Sequence, residues 1–296
     1  MQDNTIISLI LRHATKMKGV LLFVASIYCA FATKCGHRRD SDGSPRIIGG
    51  TDALPHEFPW QVSLSFTLRV LDGEEHGCGA SVVNENWILT AAHCCIYFPF
   101  AEFVALFGKH NLGQFEETQE ARYFEKVIIH EKFARFRVGG EYDYCLVRLS
   151  EPVNFTEYIG PVCLPEPEED YAGAMCTTSG WGRTANDGTA SDILQKVDLP
   201  IWTNEECALA YAEHELNITD NMVCAGYKEG GKGACHGDSG GPLVCKRDDG
   251  SWVQVGITSW GGDQRDLCAL PNEPSVFARV SYVLDWIHST IRENSL

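Results

Sequence analysis

The chain has 296 residues, 44% of them hydrophobic, enough to bury a full core in one or two domains. Its formal net charge is −16, and residues 1–46 hold seven bases against three acids, which leaves −20 on the remainder. A surface this acidic repels phosphate backbones and anionic bilayers, which argues against nucleic acid or membrane as a partner. Thirteen cysteines point to an oxidising compartment unless they bind metal. Neither paired C-x-x-C motifs nor H-E-x-x-H supports metal, because His56-Glu57, His130-Glu131 and His214-Glu215 all fail at the fifth position. The lone histidines at 56, 76, 110, 130 and 214 read as surface or core residues.

In chain order, Lys16 and Lys18 precede an apolar run from Gly19 that ends in Ala30-Phe31-Ala32. A basic start, a short apolar core and an Ala-x-Ala end predict a secretory signal over residues 1–32, and hence an extracellular protein. The run is short for a membrane span, which makes a signal anchor the minor alternative. Residues 33–46 are polar and contain Arg38-Arg39-Asp40-Ser41-Asp42-Gly43-Ser44-Pro45, an exposed linker that ends in Arg46 and leads into Ile47-Ile48-Gly49-Gly50.

Beyond Trp60 the chain alternates apolar runs with Gly, Asn and Asp turns. Strands are predicted over residues 61–66, 80–83, 87–89, 103–107, 124–129 and 145–149, then 176–180, 195–201, 222–225, 242–246, 253–260 and 275–280. Short strands at this spacing indicate an all-β protein of the barrel kind. Ser281 is placed to cap a closing helix whose Val283, Trp286, Ile287 and Ile291 share one face.

The chemistry concentrates in Gly233-Ala234-Cys235-His236-Gly237-Asp238-Ser239-Gly240-Gly241-Pro242. A serine hydroxyl becomes a useful nucleophile only when a base removes its proton and nearby donors receive the charge that forms. Flanking glycines let the backbone turn and let a substrate approach. In an α/β-hydrolase the serine would open a helix, with its acid and histidine downstream, but here a strand-like stretch follows and the only later histidine is His288. The partners lie upstream, with His93 in Thr90-Ala91-Ala92-His93-Cys94 and Asp143 just before the strand-like run from Cys145.

With the order His93, Asp143, Ser239, the chain resembles a trypsin/chymotrypsin-family serine protease from Ile47 to about Asn294. The resemblance implies a domain over residues 47–296 made of two antiparallel six-stranded β-barrels with a catalytic cleft between them and a C-terminal α-helix. It implies that His93, Asp143 and Ser239 are catalytic and that the N–H groups of Gly237 and Ser239 form the oxyanion hole. Residues 33–46 would be an activation propeptide. A cut after Arg46 would free the amine of Ile47 to pair with Asp238, because a buried ammonium and a buried carboxylate are tolerable only together.

Family bridges map onto Cys35–Cys163, Cys78–Cys94, Cys176–Cys245, Cys207–Cys224 and Cys235–Cys268, and Cys29 falls in the leader. Cys95 and Cys145 remain. They either bridge, which suits two residues each just beyond a triad member, or stay as buried thiols.

The expected substrate-binding residues are Gly233, Ser259, Trp260, Gly261 and Ser275. Trypsins carry aspartate where Gly233 stands, and without it a buried substrate Lys or Arg is left unpaired. Ser275 replaces a glycine and should make the pocket shallower. Leu, Met, Phe or Tyr before the cut is therefore expected, unless Glu273, Asp263 or Asp266 reaches in and restores a basic preference. An enzyme of this specificity needs a separate trypsin-like activator to cut after Arg46.

Lys109 stands where calcium-binding trypsins have a glutamate, so neither metal nor another cofactor is expected. Asn154 and Asn217 head glycosylation sequons. Protein or peptide substrates and proteinaceous serine-protease inhibitors are the implied partners of a monomer, and the short propeptide suits a digestive role. The rival class is a non-catalytic homologue acting as a binding protein, but such proteins commonly lose the serine that this chain keeps.

Overall fold

The computed structural model describes residues 35–39, 49–67, 75–96, 98, 102–135, 140–167, 169–214, 216–261 and 267–295. The expected leader, the Arg46–Ile47 bond, Asp263 and Asp266 lie outside the described residues.

A short strand β1 (Thr51–Asp52) precedes the first barrel. That barrel is closed and comprises β2 (Gln61–Thr67), β3 (Glu75–Asn84), β4 (Trp87–Thr90), β5 (Glu102–Phe107), β6 (Glu120–Ile129) and β9 (Cys145–Leu149), in the order β2-β3-β4-β9-β6-β5. A small hairpin, β7 (Ala134–Arg135) with β8 (Gly140–Glu141), leads into β9. In β2 the alternation Gln61-Val62-Ser63-Leu64-Ser65 is buried on both faces. Val62 and Leu64 join the core around Trp60, Phe107 and Val147, each contributing about 1.5–3 kcal/mol by burial. The polar side faces the second half of the molecule: the Ser179 hydroxyl donates to Gln61 at 2.7 Å, and Ser81 on β3 donates to Gln254 at 2.6 Å.

The second half contains β10 (Met175–Gly180), β11 (Gln195–Pro200), β12 (Met222–Ala225), β13 (Pro242–Lys246), β14 (Trp252–Trp260) and β15 (Ser275–Arg279). The order is β1-β11-β10-β13-β14-β15-β12, a seven-stranded antiparallel sheet that β1 extends at one edge. The sheet curls until Ile201, just past β11, forms an isolated antiparallel bridge with Ala225 at the end of β12. One bridge, rather than a ladder, joins those two strands.

Three helices complete the described fold. A single turn, α1 (Ala92–Cys95), follows β4. Helix α2 (Asn204–Tyr211) starts at a capping box in which Thr203 and Glu206 satisfy each other's backbone N–H groups. The closing helix α3 (Leu284–Glu293) carries Asp285 in its first turn and Arg292 in its last, matching the helix dipole. Ser281 does not cap it, because a 3-10 turn over Val280–Val283 intervenes and contains Ser281. The expected apolar face is retained: Val283, Leu284 and Ile287 pack with Trp87, Leu89 and Leu146 of the first barrel.

Five disulfides join the described cysteines as the resemblance implied, and a sixth bridges Cys95 and Cys145, for which free thiols were the alternative. Among the described residues no helix is long and apolar enough to cross a membrane.

Candidate active site

Two bridges fix the turn that carries His93. Cys94 is tied to Cys78 on β3, and Cys95 to Cys145 at the start of β9, two residues after Asp143. His93 and Asp143 are therefore held together covalently as well as by hydrogen bonds. The Asp143 carboxylate accepts the His93 ring Nδ1–H at 2.7 Å, the His93 backbone N–H at 2.9 Å and the Ser259 hydroxyl at 2.5 Å. Burial opposes ionisation of Asp143, but the His93 ring and these bonds outweigh it and hold the carboxyl below its ordinary range. A carboxylate can only accept, so Nδ1 carries the proton and Nε2 keeps its lone pair. Ser259, expected as a substrate-binding residue, also spends its hydroxyl on orienting the acid.

Ser239 lies on the loop between β12 and β13, and both halves of the molecule hold it. Its carbonyl accepts the N–H of Gly79 on β3 at 2.7 Å, and the next residue, Gly240, donates to Thr258 on β14 at 2.8 Å. Gly240 has φ +78°, and a Cβ there would lie 2.2 Å from the Thr90 hydroxyl and 3.2 Å from Cys94 Sγ. Only glycine lets the serine loop approach the histidine turn this closely. Among the described residues, no hydrogen bond is recorded from the N–H groups of Gly237 and Ser239.

The Gly237 carbonyl accepts from His76 Nε2 at 2.8 Å, so His76 Nδ1 accepts from the Ser63 hydroxyl, also at 2.8 Å. Burial pushes the His76 pKa down. This histidine was read as a lone surface or core residue. Its ring ties β3 to the Gly237 carbonyl, two residues before Ser239, and no motif marks it.

Asp238 is buried, 2% exposed, and its two oxygens accept the N–H groups of Gly182 and Cys235 at 2.8 and 2.9 Å. A Cβ on Gly182 would fall 2.5 Å from its carboxyl carbon, so the site is shaped around the acid. Burial pushes the carboxyl up to about 6, countered only in part by the two N–H groups and by His236.

Comparison with known families agrees with this geometry: the family model described as Trypsin matches residues 47–287. The chain belongs to the trypsin family.

Three of the residues expected to bind substrate, Gly233, Gly261 and Ser275, lie close together. A side chain on Gly233 would start 3.0 Å from Ser275 Oγ and 3.3 Å from the Ala269 methyl, with no charged group among its nearest neighbours. Ser275 Oγ accepts the Ala234 N–H at 3.2 Å, beside Gly233. Gly261 stands over Ser275, whose Cα would lie 3.2 Å from a Cβ at position 261. The Trp260 ring packs edge-on to Tyr211 at 5.1 Å. Glu273, one of the possible substitute acids, instead has an oxygen 3.6 Å from His214 Nε2.

Lys109 is 6% exposed and lies just after β5, before β6. Its ammonium donates to the Gln114 carbonyl at 2.5 Å and to Gln119 at 2.9 Å, while Glu116 accepts the N–H groups of His110 and Asn111. The sequon residues Asn154 and Asn217 are both exposed.

Proposed function

We propose that the protein is a secreted serine endopeptidase made as a zymogen, activated by a trypsin-like protease that cuts after Arg46, and selective for Leu, Met or aromatic residues before the scissile bond. The observation that carries the catalytic reading is the Asp143–His93 pair, with its Nε2 lone pair, beside a serine loop held by both halves of the molecule. Ser239 Oγ attacks the peptide carbonyl as its proton passes to His93 Nε2. The tetrahedral oxyanion is received by the N–H groups of Gly237 and Ser239, and His93 then protonates the leaving amine. Asp143 orients the imidazole and stabilises its charged form. Substrate backbone adds as a strand along Ser259-Trp260-Gly261.

Specificity rests on the uncharged floor formed by Gly233 and Ser275. The test is to cut the secreted zymogen with trypsin, remove the trypsin and profile a peptide library. Cleavage after Leu, Met, Phe or Tyr is the expected result. Cleavage after Lys or Arg would sink the pocket reading and implicate a substitute acid. No turnover, with Ser239 unlabelled by an organophosphorus reagent, would favour a non-catalytic binding protein.

The bonds made by Lys109 support a loop that does without calcium. Calcium and chelators should leave the melting temperature unchanged. Lys109→Ala should cost about 1–3 kcal/mol, because it removes both hydrogen bonds of the ammonium, to Gln114 and Gln119, and should lower the melting temperature by several degrees. A calcium-dependent rise in the unaltered protein would refute this.

A further inference from the structure

The segment before the proposed activation bond is held by more than its cysteine. Next to the Cys35–Cys163 bridge, Gly36 donates to the Pro161 carbonyl at 2.8 Å and accepts from Trp252 N–H at 2.9 Å. Two residues on, the Arg38 guanidinium lies over the rings of both Phe58 and Trp252, 4.8 and 4.6 Å from their centroids, and is ion-paired with Glu57. Its side chain is only 16% exposed. Glu57 is fully buried and also accepts Lys196 Nζ at 2.6 and 2.8 Å and Leu54 N–H at 2.8 Å. Without Arg38 the carboxylate would still have Lys196 and that N–H, so the site stays satisfied when empty. A site built this way can release and rebind its cation without unfolding.

We propose that Glu57, Phe58 and Trp252 form a receptor for an arginine guanidinium, occupied in this chain by Arg38. It keeps the amino-terminal segment seated on the catalytic body after the cut at Arg46, with or without the disulfide. The flat guanidinium suits two ring faces and a carboxylate in a way that an ammonium does not. Seating Arg38 also withholds it from a basic-specific activator, which must draw an arginine into its own pocket. The Arg38–Arg39 bond is therefore protected from such an activator. This function rests on the proposed activation at Arg46, whereas the receptor itself can be read in the uncut chain.

The test uses the full chain with Cys35→Ser and Cys163→Ser, which removes the covalent tether and leaves neither of its two cysteines as a free thiol. Hydrogen exchange over residues 35–39 should remain slow in the uncut chain and become about tenfold or more faster when Arg38→Ala is added. Arg38→Lys should fall between the two. After trypsin treatment and gel filtration, the fragment ending at Arg46 should travel with the body when Arg38 is present and be lost when it is alanine. Equal exchange with and without Arg38, or loss of the fragment from both proteins, would overturn the receptor. Slow exchange that depends on Arg38, in a chain that trypsin does not cut after Arg46, would overturn the activation reading and the retention that depends on it while leaving the receptor in place.

Discussion

Ser239→Ala should lower kcat/KM by about a millionfold, with fold and zymogen cutting unchanged. The alanine removes the only atom that can form the acyl-enzyme, and its neighbours remain fixed by backbone bonds through Gly79 and Thr258. Asp143→Asn should cost about 10⁴-fold, for a different reason. The amide would present an N–H where His93 Nδ1–H and the Ser259 hydroxyl now donate. The imidazole would then favour the other tautomer and lose its free Nε2 lone pair. Active-site titration and steady-state kinetics on a peptide substrate separate the two variants: the first is not acylated at all, the second is acylated slowly. A loss below about a hundredfold in Ser239→Ala would remove this serine from the role of nucleophile.

Asp238→Asn should reduce the activity of the cut protein by roughly a hundred- to several-thousand-fold, the effect of breaking a buried ion pair worth about 3–5 kcal/mol. The carboxyl, pushed up to about 6 by burial, is destabilised when ionised. The sign follows from linkage: an acid whose folded pKa lies above its unfolded value loses stability as pH rises between the two, and the loss is complete above the folded pKa. An uncut chain, held so by Arg46→Gln, should therefore become less stable between about pH 4 and pH 6. After the cut, the Ile47 ammonium would pair with Asp238 and pull its pKa down, so that loss should vanish. Melting temperatures of cut and uncut chains across that range provide the check, and identical pH curves for the two would exclude the pairing.

The twelve long strands were readable because apolar periods and turn residues agree along the chain, and each expected strand lies on an observed one within a few residues. Elements of two residues, such as β1 and the β7–β8 hairpin, are too short to carry a period. Helix α2 was missed although Thr203 and Glu206 spell its capping box, because Leu209 stands exposed and no apolar stripe runs along the helix. Of the site, the triad could be read because its residues sit in distinctive local motifs. His76 could not, because its role comes from a contact with Gly237 far along the chain, and its neighbours Glu75 and Gly77 carry no sign of that contact. One oxygen of Glu273 lies 3.6 Å from His214 Nε2 and the other is buried without a hydrogen-bond partner among the described residues, a placement that its neighbours in the sequence do not announce.

Tyr144 follows Asp143 on the first barrel, and its hydroxyl reaches the carbonyls of Asn221 and Arg279 in the second half, at 2.8 and 2.9 Å. The first barrel thus carries His93 and Asp143, the second half carries Ser239, and on the proposed mechanism this buried phenol is a clasp between the base with its acid and the nucleophile. Neither piece would be an enzyme by itself. Separated between β9 and β10 and attached to two other proteins, the pieces would turn over substrate only when those proteins met, so the seam is a natural place to split the molecule into a reporter of encounter.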